Sequence, residues 1–154
     1  MIAVVQRVSN ASVDVEGVGV TGSIESGLCV LACVVNGDEQ TDIEWMAGKI
    51  ARLRVFSNPE GRFDLSVQDI QGEILLVSQF TLAGDCRKGN RPSFIKAAKP
   101  EHAEPMLERL AELLRDRYAV PVETGRFGGS MSVRLHNDGP VTIVISSPRH
   151  DESP

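Results

Sequence analysis

Aromatic residues are scarce in this sequence and make up 5% of its 154 residues. Aliphatic side chains must therefore fill the core, and the bases of a nucleic acid would find few rings on which to stack. No apolar run approaches the roughly 20 residues that a membrane-spanning helix needs. The first ten residues, MIAVVQRVSN, lack the basic leader of a signal peptide. We therefore expect a cytoplasmic protein that is not attached to a membrane.

Cysteine and histidine occur three times each, and neither has the spacing of a metal site. Cys29 and Cys33 lie in one apolar run, and Cys86 lies far from both. An odd number of cysteines without a CxxC pair argues against a disulfide framework and against zinc. We expect two buried thiols and one incidental thiol in a loop, with no metal and no cofactor.

Common catalytic signatures are also absent. Gly84 and Gly89 have the spacing of a nucleotide-binding P-loop, but Asn90 stands where that motif requires lysine. The chain has neither the GxSxG turn of serine hydrolases nor the HExxH helix of zinc proteases. Any catalytic chemistry must therefore use residues outside these motifs.

Positive charge is concentrated in one segment of an acidic chain. The net charge is −5, a poor match to a nucleic-acid-binding protein as a whole. Residues 84–100 nevertheless carry +4, because five basic residues stand against Asp85 alone, which leaves −9 elsewhere. The basic residues are Arg87, Lys88, Arg91, Lys96 and Lys99. Taken alone, the segment fits a solvated loop as well as a nucleic-acid contact.

Hydrophobic periodicity predicts about seven strands and two helices. A continuous apolar run at 27–35 is typical of a strand buried on both faces, and 73–82 is predicted to be another buried strand. Apolar residues recur at helical spacing in 41–54 and 101–118. Near the end of the chain, Asp138-Gly139 predicts a tight hairpin turn between two strands. Pro140 cannot donate to a strand ladder, which leaves room for a turn of special geometry.

The order of these elements indicates the fold class. Strands cluster at both ends of the chain without regular βαβ alternation, which is typical of α+β proteins. We expect a curved, barrel-like, mostly antiparallel sheet with two helices packed on it. The whole is predicted to be one domain over residues 1–147, followed by a polar tail over 148–154.

The segment Ser78-Gln79-Phe80-Thr81-Leu82 places three polar side chains at the end of an otherwise apolar strand. Burying such groups costs free energy unless they are hydrogen-bonded. Local pairing at a strand end would satisfy them. The floor of a ligand pocket, where short polar groups meet a ligand, is the functional alternative.

Four segments in this order, MIAVVQRVSNASV, LLVSQFTLAGDCRKGNRPSF, TGRFGGSM and NDGPVT, resemble the D-aminoacyl-tRNA deacylase family. The resemblance runs from Met1 to about Ser147, and the order and spacing of the motifs make it specific. It implies a homodimeric carboxylic ester hydrolase that removes D-amino acids, and glycine mischarged on tRNA, from the 3′ end of tRNA. The two active sites are then expected at the subunit interface.

The resemblance also implies roles for particular residues. One subunit supplies the catalytic pocket, and the partner inserts a Gly-Pro pair with a cis bond, whose carbonyls reject L-amino acids. The pocket residues are Ser78, Gln79, Phe80 and Thr81. The chiral selectors are Gly139 and Pro140, supported by Arg7 and Met131. The tRNA contacts are Arg87, Lys88, Arg91 and Lys96.

The chemistry that the resemblance implies needs no side-chain base. The tRNA ester is already activated, so a placed water and a stabilised oxyanion are enough. Backbone N–H groups of Phe80 and Thr81 are candidates for the oxyanion hole, and the adjacent 2′-hydroxyl of the tRNA helps to activate the water. Thr81 as a covalent nucleophile is the competing hypothesis, but it requires a base that the sequence does not show.

Two other functions remain open at this point. One is a deacylase of the same fold with relaxed or reversed chirality, and the other is a non-catalytic RNA-binding module. An editing domain acting within a larger synthetase is disfavoured, because no linker is evident. Asp64 departs from the asparagine expected of the family. A carboxylate there would weaken tRNA binding if it approached the tRNA, and would have no effect if it only formed a turn.

Overall fold

Eight β-strands and two α-helices are formed by residues 1–148, which are the residues that the computed structural model describes. The strands are β1 (Ile2–Val15), β2 (Gly19–Ile24), β3 (Gly27–Cys33), β4 (Phe56–Ser57), β5 (Phe63–Leu65), β6 (Glu73–Ser78), β7 (Val122–Thr124) and β8 (Met131–Ser146). The helices are α1 (Gln40–Arg52) and α2 (Pro100–Asp116), and a 3-10 helix covers Phe80–Ala83. Of the predicted polar tail at 148–154, all but Pro148 lies outside the described residues.

Strand β1 organises the main sheet. Along one edge its first half pairs antiparallel with β3 and its second half with β2, while β8 pairs antiparallel along the other edge. Inward and outward side chains alternate along β1, so Ala3 and Val5 are buried on one side of the sheet. Its 14 residues form one continuous strand.

The sheet is mixed but mostly antiparallel, as predicted, because β1 pairs antiparallel with β2, β3 and β8. β3 pairs parallel with β6, and β6 pairs parallel with β7. Each parallel pair is joined by a crossover that contains a helix, α1 in the first case and α2 in the second. Thr21 Oγ1 in β2 donates to Thr124 O in β7 at 3.1 Å, so the sheet curls into a nearly closed barrel. The predicted α+β class and the two packed helices are confirmed.

Apolar side chains fill both faces of the sheet. One cluster joins the sheet to α1 and α2, with Leu28, Ile50 and Leu110 completely buried. A second cluster fills the inside of the barrel and includes Cys29 and Leu75. Because β3 contributes to both clusters, the prediction that it is buried on both faces is confirmed. No helix within the described residues is both long and apolar enough to cross a membrane.

The predicted hairpin at Asp138-Gly139 is wrong. β8 runs unbroken through this point, but its register with β1 shifts. Gln6 of β1 lies opposite Thr142, whereas Val8, two residues further on, lies opposite Asn137. Residues 138–141 therefore bulge out of the ladder, and we call them the β8 arch. A tight type I′ turn needs positive φ at both central residues. Only Gly139 has it, at +133°, so the chain does not reverse.

The predicted strand at 73–82 is also too long. β6 ends at Ser78, and Gln79 N–H donates to Ala32 O of β3 at 2.8 Å. The chain then tightens into the 3-10 helix, in which Leu82 N–H donates to Gln79 O at 3.2 Å. The polar residues that follow β6 are therefore presented at the end of the sheet and are not part of a strand.

A substitution at Gly27, the first residue of β3, tests the close approach of β3 to β6. A Cβ on Gly27 would overlap the carbonyl oxygen of Glu73, the residue paired with it in β6. We expect Gly27→Ala to lower the free energy of unfolding by about 3 kcal/mol or more, because backbone must separate from backbone. Urea unfolding followed by circular dichroism measures this. Ser23→Ala on the exposed face of β2 is the control, with a change of about 0.5 kcal/mol or less. An equally small change for Gly27→Ala would contradict the packing described.

Candidate active site

A cavity of about 640 Å³ opens where β6 ends. Its floor is formed by Ser78, Gln79 and Phe80, and Met131 at the start of β8 lines another part. Residues of α2 and of the loop before β8 complete it, among them Leu107, Phe127, Gly128 and Gly129. The cavity therefore joins four of the residues singled out in the sequence analysis, although they lie up to 53 positions apart.

Backbone N–H groups are available at the cavity floor. The first hydrogen bond of the 3-10 helix is donated by Leu82, so the N–H groups of Phe80 and Thr81 precede the start of its ladder. The first amides of a helix have no partner within it. They are suited to stabilise a negative oxygen that develops on a bound ester.

Thr81 lies beside the cavity and does not line it within the described residues. Its side-chain oxygen accepts a hydrogen bond from the Gln79 amide. An amide donor does not remove a proton from a hydroxyl group, so this contact does not activate Thr81 as a nucleophile. Of the described residues that line the cavity, Lys99 alone is charged, and none carries a carboxylate or an imidazole.

Two phenylalanines form one wall of the cavity. The rings of Phe80 and Phe94 pack edge to face with centroids 5.2 Å apart. Phe80 is nonetheless 59% exposed, which is unusual for a side chain of its size. The wall therefore offers an exposed apolar surface next to the backbone donors.

The cysteines behave as the sequence predicted. Cys29 and Cys33 are buried and Cys86 is exposed, and all three are free. Burial raises the pKa of the Cys29 thiol to about 11, and burial likewise raises the pKa of Cys33 at the cavity wall. A thiol with a raised pKa is a poor nucleophile, so Cys33 serves as an apolar wall residue. No cluster of possible metal ligands is present in the part of the chain that is described.

The β8 arch carries Gly139 and Pro140, which are exposed and joined by a cis peptide bond. Neither residue lines the cavity formed by its own chain, as far as residues 1–148 show. A Cβ on Gly139 would lie 2.8 Å from Val141 Cγ2 and 3.1 Å from Arg7 Nη2. Together with its φ of +133°, this crowding leaves room for glycine alone.

Arg7 holds the β8 arch from strand β1. Its Nε donates to the carbonyl oxygen of Asp138 at 2.8 Å, and the Asp138 carboxylate lies 3.5 Å from the same nitrogen. Nη1 donates to Val55 O at 2.7 Å. The guanidinium also lies over the ring of Phe63, with 5.4 Å from Cζ to the centroid. The Arg7 side chain is only 11% exposed, so these contacts fix it in one position.

The basic segment forms an ordered loop. Asp85 and Ser93 exchange two backbone hydrogen bonds of 2.8 and 2.9 Å, which close the tip of the loop. The tip carries Lys88 and Arg91, both exposed. Lys96 lies nearer the base, where with Arg87 it lines a second cavity of about 710 Å³.

One of the four predicted tRNA contacts already has an anionic partner. Both carboxylate oxygens of Asp85 accept from the Arg87 guanidinium, at distances from 2.5 to 3.0 Å. These hydrogen bonds hold the pKa of Asp85 well below its usual range, so its charge persists. Lys88, Arg91 and Lys96 form no ion pair with another described residue. Of the four predicted tRNA contacts, three are therefore unpaired among the described residues and Arg87 is paired.

Asp64 has a local partner as well. Its carboxylate forms an ion pair with Arg54, and Arg54 Nε donates to the Asp64 carbonyl oxygen at 2.9 Å. This pairing links the strand β5 to the residues just before β4. The negative charge of Asp64 is thus balanced within its own hairpin.

Several residues of the site were not identified from the sequence. Phe94 and Phe127 lie within the segments RPSF and RFGG that carried the resemblance, but they were given no role there. Lys99 was counted only as a charge. No pattern in the sequence indicated a role for Phe63, because its contact with Arg7 joins residues 56 positions apart.

The fold and the cavity together define a small α+β protein with a largely apolar site, backbone donors at its floor, and neither a carboxylate nor an imidazole among its described lining residues. A family profile described as D-Tyr-tRNA(Tyr) deacylase matches residues 4–146. A D-aminoacyl-tRNA deacylase of Chloroherpeton thalassium is 51% identical over 152 residues, which cover 99% of each chain. The chain therefore belongs to the D-aminoacyl-tRNA deacylase family.

Two solved structures have the same fold. The structure of a c-Myc DNA unwinding element binding protein matches with a TM-score of 0.90 at 45% identity, over 96% of this chain and 99% of that one. A probable eukaryotic D-amino acid tRNA deacylase matches with a TM-score of 0.80 over 94% of this chain and 97% of that one. Its identity of 18% supports the fold alone.

Proposed function

We propose that this chain hydrolyses the ester bond that joins a D-amino acid, or glycine mischarged on tRNA, to the 3′ end of the tRNA. The observation that carries the proposal is the position of Ser78, Gln79 and Phe80. The motif shared with the family forms the floor of a cavity of suitable size. Water attacks the ester carbonyl, the tetrahedral oxyanion is stabilised, and the products are the free amino acid and tRNA.

The chemistry relies on positioning and on the substrate. The backbone N–H groups of Phe80 and Thr81 stabilise the oxyanion, and the 2′-hydroxyl of the terminal ribose helps to activate the water. The lack of a carboxylate or imidazole among the described lining residues supports this assignment. The donation from Gln79 to Thr81 argues against a threonine nucleophile.

Selection against L-amino acids is proposed to come from the β8 arch of a second subunit. Gly139 and Pro140 are exposed and lie outside the cavity of their own chain, which supports a site completed by a homodimer. Their carbonyl groups face the Cα of the substrate, where an L side chain clashes and a D side chain points away. Glycine has no side chain to reject and is accepted. Rejection by a clash needs no favourable contact with the D side chain.

The unpaired cations of the basic loop are proposed to bind the phosphates of the tRNA. Lys88, Arg91 and Lys96 supply affinity without sequence specificity. Arg87 contributes less while it is paired with Asp85. The cytoplasmic location and the single domain over residues 1–147 remain predictions.

The first test is deacylation of D-Tyr-tRNA and L-Tyr-tRNA by the wild type and by Thr81→Ala. We expect rapid loss of the D ester alone, and a Thr81→Ala rate within about tenfold of wild type, because the hydroxyl is not the nucleophile. A fall of about four orders of magnitude in a folded variant would instead establish a catalytic threonine. Equal loss of both esters would support relaxed chirality. Binding of charged tRNA without turnover would support the RNA-binding module.

A second test concerns the paired arginine. Asp85→Asn removes the carboxylate that occupies Arg87, so we expect tighter tRNA binding and a salt slope steeper by about one unit. Filter binding of uncharged tRNA at several salt concentrations measures both. Asp116→Asn at the exposed end of α2 makes the same change in net charge and serves as the control. Identical slopes for the two variants would show that Arg87 takes no part in binding.

A further inference from the structure

The hairpin formed by β4 and β5 contacts the same guanidinium that holds the β8 arch. Val55, directly before β4, accepts from Arg7 Nη1, and the ring of Phe63 at the start of β5 lies under Arg7 Cζ. Arg7 Nε meanwhile donates to Asp138 O. The guanidinium is thus fixed between the hairpin and the arch.

Phe63 is costly to place where it is. Its side chain is 54% exposed, although burial of a phenylalanine is favoured by about 1.5–3 kcal/mol. The ring is among the few large apolar side chains that remain this exposed in residues 1–148. Its cation–π contact with Arg7 gives this exposed position a physical reason, because such contacts strengthen where the cation is shielded from water.

The hairpin is itself well braced. Arg54 and Asp64 form an ion pair, and Asn58 Oδ1 accepts from the backbone N–H groups of Glu60 and Arg62 at 3.0 and 2.9 Å. These contacts fix the turn that precedes Phe63 and Asp64, which follows it in β5. Phe63 therefore presents its ring to Arg7 from a rigid support.

We propose that Phe63 is a positioning residue for chiral selection, acting through Arg7 on the β8 arch. The inference rests on the proposed function. A clash excludes a substrate only if the group it strikes does not move, since a mobile arch yields at little cost. Arginine has many rotamers, and the Phe63 ring together with Val55 O restricts Arg7 to the one that reaches Asp138. The exposed phenylalanine thereby controls the rigidity of Gly139 and Pro140 without touching the substrate.

The test compares Phe63→Leu with Phe63→Tyr. Leucine keeps an apolar side chain and removes the π face, whereas tyrosine keeps the face. We expect Phe63→Leu to lower the ratio of D-Tyr-tRNA to L-Tyr-tRNA deacylation rates by about three- to tenfold. Phe63→Tyr restores the wild-type ratio to within about twofold. A purely structural role would not distinguish these two variants by selectivity.

Two controls complete the experiment. Val20→Ala removes an equally exposed apolar side chain from β2 and is expected to leave the ratio unchanged. Asp64→Ala loosens the hairpin while keeping Phe63, is expected to lower the ratio in the same direction, and decides the question if Phe63→Leu does not fold. A wild-type ratio in Phe63→Leu, or an equal fall in Phe63→Tyr, overturns the inference. A wild type that does not discriminate between the two esters overturns the proposed function instead.

Discussion

The antiparallel pairing of β1 with β8 places the β8 arch and Arg7, the residue that holds it. The two strands pair over nearly their full lengths, with a small register shift between Val8 and Asn10 and a larger jump between Gln6 and Val8. Arg7 lies at that jump, opposite the β8 arch, and its side chain fills the space that the missing ladder leaves. The start of β8 meanwhile brings Met131 to the cavity. One irregularity in one strand pair therefore creates both the arch and the position of the residue that holds it.

Parallel pairing of β3 with β6 places the other half of the site. Because β6 ends at Ser78 while its hydrogen bonds to β3 are still satisfied, the chain can turn into the 3-10 helix with unused N–H groups at its start. In the proposed account the cavity binds the ester and stabilises the oxyanion, and the arch rejects L-amino acids. Among the described residues, Gly139 and Pro140 of the arch do not line the cavity of their own chain. A two-subunit site follows from that separation in the proposed account.

Much of this arrangement was predictable from the sequence, and the failures have physical reasons. Periodicity located α1, α2 and the buried strand β3, because burial alone decides those patterns. It misjudged the Asp138-Gly139 segment, since the dipeptide favours a hairpin locally, whereas pairing with the long strand β1 keeps β8 continuous. It also extended β6 into the 3-10 helix. Apolar Phe80 and Leu82 continued the strand pattern there, although the backbone hydrogen bonds had already changed from the β3 ladder to the 3-10 helix.

The residues of the site were likewise predicted only in part from the sequence. The resemblance identified the floor of the cavity and the exposed arch, because both lie in contiguous motifs. Phe63 and the pairing of Arg87 with Asp85 were not identified, since side-chain contacts between segments leave no periodic signal. Asp64 is an instructive case. An aspartate in place of the expected asparagine would weaken tRNA binding if its carboxylate approached the tRNA. The structure shows that this carboxylate forms an ion pair with Arg54, which balances its negative charge.

The most direct test of the account is the chirality of deacylation by Gly139→Ala. The added Cβ would crowd Val141 and Arg7 at a φ that only glycine adopts readily, so the arch must shift. The ratio of the D-Tyr-tRNA rate to the L-Tyr-tRNA rate in single-turnover deacylation is then expected to fall by about tenfold or more, because the L ester is hydrolysed faster. A folded Gly139→Ala variant that keeps the wild-type ratio would contradict the claim that this arch rejects L-amino acids.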